Sequence, residues 1–103
     1  MSRKFEIGGV YSVERAGCYL EKEGGGRIKL RVGDMIQYAG NVIHGGHYQS
    51  DPIPTDHFTV YGSGTGGDHP HVGEYGEFWP NDWGVADAKH KHLSKLYDAE
   101  EVS

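Results

Sequence analysis

Seven histidines in a chain of 103 residues make metal ligation the first chemistry to weigh. His69 and His71 stand two apart, a spacing that on a strand puts both rings on one face, and Glu74 follows three residues later. Two imidazoles and a carboxylate form a donor set for a divalent cation, so His69, His71 and Glu74 are the candidate metal ligands. The plainer reading is a set of surface histidines, and Pro70 between the two rings removes a ladder donor and favours a loop or a sheet edge. His44 with His47 and His90 with His92 are further pairs, although two positions apart on a helix point in different directions. His57 stands alone on the polar side of its strand.

Other reactive chemistry finds little support. Cys18 is the only cysteine, so no internal disulfide and no cysteine-based zinc site can form within the chain. Its expected role is that of a small buried apolar residue on a strand. Neither Gly24–Gly26 nor the run from Gly62 to Gly67 carries a phosphate-cradling pattern, and hairpin connection is the better reading of both. No nucleophile is paired with a base by spacing, and no enzyme activity is expected.

The densest aromatic stretch is Tyr75, Phe78, Trp79 and Trp83, interleaved with Glu74, Glu77, Asp82 and Asp87. Phe78 and one Trp are expected in the core of a chain poor in aliphatic residues. The remaining rings, rimmed by carboxylates, would make a contact patch for a basic and partly apolar surface. Glu74, Tyr75, Glu77, Trp79, Asp82 and Trp83 are therefore the candidate partner-binding residues.

Charge is unevenly distributed. Residues 1–31 hold seven Lys and Arg against four acids, whereas residues 32–88 hold eight acids and no Lys or Arg; the whole chain carries −5. Gathered on one face, the central acids would attract a protein with a basic surface. Paired with the N-terminal cations across a ladder, they would be neutralised instead. Arg27, Lys29 and Arg31 share one strand face, with Tyr11 or Tyr19 as stacking rings for a nucleic acid. The net charge opposes phosphate attraction, and nucleic acid is not expected as a partner.

The elements that must position these residues are mostly strands. Val10–Arg15 and Cys18–Lys22 read as a first hairpin around Ala16-Gly17, and Arg27–Val32 alternates strictly, with Ile28, Leu30 and Val32 on one side. Met35–Tyr38, a short Val42–His44, Asp56–Tyr61 and Glu74–Trp79 follow. Val85, Lys89, Leu93, Leu96 and Tyr97 recur at helical spacing and predict a C-terminal helix over about 86–97. Seventeen glycines and four prolines suit short elements with many turns. The chain is expected to be one domain, 1–103, mainly β, with five or six strands in a small barrel over about 5–84 and the short helix after it. No stretch reaches the roughly 18 apolar residues of a membrane span, and MSRKFEIGG lacks the apolar run of a signal peptide. A cytoplasmic protein with no membrane association is expected.

Three resemblances bear on this inventory. The Gly33-Asp34 turn opening a strand, with Phe78-Trp79-Pro80 near the last one, resembles the SH3-like barrels over about residues 27–84. The sequence is also similar in style to small accessory proteins of tailed bacteriophages, which implies inhibition of a host enzyme or defence system by binding it in the host cytosol. His69-Pro70-His71 with Glu74 resembles the first metal motif of the cupins, which implies a metal-binding β-barrel enzyme. The cupin Glu lies further from the second His, and the second cupin motif is absent. A binding protein acting through an acidic and aromatic face is the favoured expectation. The cupin-like metal protein and a structural subunit of a virion or complex are the alternatives.

Overall fold

The alternation expected over Arg27–Val32 is realised in part: Ile28 and Leu30 are buried while Arg27, Lys29 and Arg31 face out, but the strand ends at Lys29 and Val32, where the chain turns with Gly33, is 51% exposed. Residues 5–44, 53–64, 69–79 and 92–102 are described in the computed structural model. They hold seven strands: β1 (Val10–Val13), β2 (Tyr19–Glu21), β3 (Arg27–Lys29), β4 (Asp34–His44), β5 (Ile53–Ser63), β6 (Tyr75–Trp79) and β7 (Leu93–Tyr97). One helical turn, α1 (Ala99–Val102), closes the chain. No described helix is long and apolar enough to cross a membrane.

The strands form one antiparallel sheet in the order β3-β2-β6-β5-β4-β1-β7. All seven contribute to a single core, from Ile28 at one edge to Leu93 at the other, so the sheet curls around its own apolar face. Phe58 lies in the middle, with Phe5, Tyr38 and Phe78 within 5.1–5.5 Å between ring centroids, mostly edge to face. Such contacts add about 0.5–1.5 kcal/mol each beyond the area they bury. The mainly β class and a short C-terminal helix are thus observed. The sheet is open, however: no ladder joins β3 to β7 among the described residues, and the SH3-like barrel is not confirmed.

Two further expectations are corrected. Val10–Arg15 and Cys18–Lys22 do not form a hairpin with each other; β1 pairs with β4 and β7, and β2 with β3 and β6. Main-chain acceptors that the hairpin would have used are taken by the segment after β3, where Leu30 N–H donates to Cys18 O and Gly33 N–H to Val13 O (2.9 and 2.8 Å). The helix expected over about 86–97 is a strand from Leu93 on, and residues 86–91 lie outside the described ones. Spacing at Leu93, Leu96 and Tyr97 fits a helix, but only Leu93 is buried, and the open edge of β1 supplies ladder partners that a helix would leave unmet. Glu6 holds the end of the chain, accepting from Ala99 N–H (2.7 Å) and pairing with Lys95 (3.2 Å).

The Gly33-Asp34 turn is real. Gly33 has φ +95°, which glycine adopts without strain, and the Asp34 carboxylate accepts from Arg31 N–H at 2.7 Å.

Candidate functional site

Strands β3, β2, β6 and β5 lie side by side, and their alternation sends every second residue to the outer face. The register sets out one row across that face: Arg27 opposite Glu21, Glu21 opposite Glu77, and Glu77 opposite His57. The next row runs Lys29, Tyr19, Trp79. Two carboxylates directly opposite on neighbouring strands repel each other. Arg27 on one side partly offsets that repulsion, and on the other His57 places Nε2 3.7 Å from Glu77 Oε1.

Above this pair opens a groove of about 540 Å³ lined by Glu21, Lys22, Glu23, Gly24, His57, Tyr75 and Glu77. Tyr75 stacks flat on His57, with 5.0 Å between centroids and 10° between planes, and stays 44% exposed. Its phenol is pushed above the ordinary value, first by partial burial and then by the carboxylates of Glu23 and Glu77. The floor is Gly76, where an added Cβ would meet Glu21 O at 2.7 Å. Glycine there lets β2 approach β6 closely enough to bring Glu21 against Glu77. The wall is the β2–β3 turn, whose Gly24, Gly25 and Gly26 all have positive φ; the glycine-rich stretch is a hairpin connection, as the sequence suggested.

The sequence-derived partner residues divide. Tyr75 and Glu77 line the groove, and Trp79 lies on the same face with its indole N–H donating to Glu77 at 3.3 Å. Glu74 is tied down by Lys22 (2.9 Å) and by His71, and these two partners hold its carboxyl below the usual range. Asp82 and Trp83 lie outside the described residues. The central acids are therefore not all free: Glu74 meets an N-terminal cation, and Asp34 is fully buried between Arg31 and His69. Glu21, Glu23 and His57 were not among the candidates. Glu21 carries a faint signal as an outward residue of an alternating strand, but its juxtaposition with Glu77 is a matter of register alone.

The metal candidates are close in space without sharing a vertex. His69 is buried with both ring nitrogens engaged: Nδ1 accepts from His71 N–H (3.0 Å) and Nε2 lies 3.3 Å from Asp34 Oδ2. His71 turns its Nδ1 to Glu74. Among the described residues no group of three or more His, Cys, Asp or Glu could hold a metal ion. His47 and His90, needed for the other two pairs, lie outside the described residues. Cys18 is buried, as expected, with its thiol facing Arg15 O at 3.5 Å.

Of the stacking rings weighed for nucleic acid, Tyr11 is in the core. Tyr19 is on the outer face, covered by the Arg27 guanidinium at 4.4 Å.

The groove thus gathers the carboxylates of Glu21, Glu23 and Glu77 around a stacked phenol and imidazole. No family model, no curated protein and no solved structure matches this chain.

Proposed function

We propose that this protein is a non-catalytic binding module whose outer-face groove takes a cationic segment of a protein partner. The observation that carries the reading is the in-register pair Glu21 and Glu77 beside the exposed Tyr75 ring, with Glu23 at the rim. Like charges set face to face store an unfavourable interaction that a bound Arg or Lys relieves, and a ring adds a face on which a guanidinium stacks. Trp79, on the same outer face, adds a second ring beside the groove. A module of this kind acts by occupying a site on another macromolecule, which is how a phage-encoded inhibitor of a host enzyme would work.

A fluorescently labelled arginine-rich peptide tests the reading by anisotropy. The wild type binds it with an affinity that falls as salt rises, and Glu21→Gln with Glu23→Gln and Glu77→Gln weakens binding at least tenfold. Equal binding by wild type and the triple variant would remove the groove as the site.

A further inference from the structure

We infer that the outer face of β3, β2 and β6 is a self-complementary surface through which two copies of this chain associate, the cation row of one copy lying in the acidic groove of the other. The inference rests on the groove as a site for a cationic segment, and it names that segment.

Arg27 and Lys29 project from the outer face of an edge strand, and neither forms an ion pair with a described residue. Arg31 continues the row with its side chain 65% exposed. Across from them lie His69, Pro70 and His71, and the six residues together line a second hollow of about 320 Å³. Cations on an edge strand discourage edge pairing, so this surface meets a partner by its face.

The sign of the face changes along β2. Arg27 stands directly opposite Glu21, which stands directly opposite Glu77. A polyanion laid along the cation row would meet these two carboxylates one and two strand spacings away, about 5 and 10 Å. Neither distance exceeds the screening length of about 8–10 Å at ordinary ionic strength. A cationic segment in the groove lies next to Arg27, so a partner that also sets an anion against Arg27 gains at both ends.

The surface that matches both halves carries both signs in the opposite order. The same face supplies it when a second copy is turned about a two-fold axis parallel to the strands, between β3 and β2 in the plane of contact, which sets Arg27 of each copy against Glu21 of the other. Tyr19 lies beside that line, where aromatic side chains contribute most to an interface, and meets Lys29 of the other copy. Three short strands and their turns make a small contact, so the dimer is weak, held by charge and loosened by salt.

Sedimentation velocity on the full chain tests this with two face-reversing pairs, Arg27→Glu with Lys29→Glu and Glu21→Lys with Glu23→Lys. The wild type is expected to show a monomer–dimer equilibrium at low salt that shifts to monomer at high salt. Each pair alone weakens association at least tenfold, and an equimolar mixture of the two restores dimers, since the Arg27 and Glu21 positions are then acidic on one face and basic on the other. Three results would overturn the proposal: a wild type that stays monomeric at low salt, reversed chains that still dimerise alone, or folded reversed chains that fail to associate when mixed. Circular dichroism checks the folding of each variant, and if one does not fold, the salt series on the wild type decides. A monomeric wild type that binds the arginine-rich peptide would end the dimer and leave the groove intact. Loss of peptide binding in the monomer would end the groove itself.

Discussion

Tyr75 reports the field of the groove at the scale of one residue. Its hydroxyl senses partial burial and the carboxylates of Glu23 and Glu77, all of which disfavour the phenolate. Its folded value therefore lies above the unfolded one. The contribution to stability is complete below the unfolded value and is lost as pH rises through the folded value. Alkaline titration followed by tyrosinate absorbance should show the Tyr75 phenol titrating late, with that of Tyr38, raised by burial and by its hydrogen bond to Asp56, later still; Glu77→Gln or Glu23→Gln should bring down Tyr75 and leave Tyr38 in place. A Tyr75 phenol indifferent to both substitutions would place those charges elsewhere. Glu74 shows how far single residues could be read: its carboxylate was legible as a candidate, whereas its capture by Lys22, 52 positions earlier in the sequence, depends on β2 and β6 being neighbours.

Single strands were legible and their pairing was not. Arg27–Lys29 and Tyr75–Trp79 fall inside the segments that alternation and aromatic content marked, because a half-buried strand imposes that pattern on itself. Nothing local states that β2 joins β6, which brings Glu21 to Glu77. Nor does it state that β7 would pair with β1 in place of forming a helix. Both outcomes turn on which open edge is available, a property of the assembled sheet. Gly76 is where this pairing is most exposed to a point change. Its missing Cβ leaves room for Glu21 O and for the Leu20 side chain. Gly76→Ala should separate β2 from β6 and cost about 1–3 kcal/mol by overpacking, measured by urea denaturation. The same change should weaken peptide binding in the groove; unaltered stability and binding would mean that the two strands tolerate a wider spacing.

Over the whole molecule, every strand places at least one side chain in a single core, and Phe58 is its centre. Phe58→Ala should cost about 3–5 kcal/mol, seen as a lower denaturation midpoint with an unchanged slope. A smaller loss would show that Phe5, Tyr38 and Phe78 close over the space. The core also explains the form of the surface: apolar residues are concentrated on the concave side, leaving the outer face of β3, β2 and β6 to charge and to rings. The asymmetry visible in the sequence survives there in altered form. Of the groove acids, Glu21 and Glu23 come from the N-terminal third and Glu77 from the central run, and the groove exists because the fold joins them. Amide chemical-shift mapping with an arginine-rich peptide tests that account most directly. The largest perturbations should fall on Gly24, Gly25, Tyr75, Gly76 and Glu77 and fade as salt is raised; perturbations confined to other strands, or none at low salt, would contradict it.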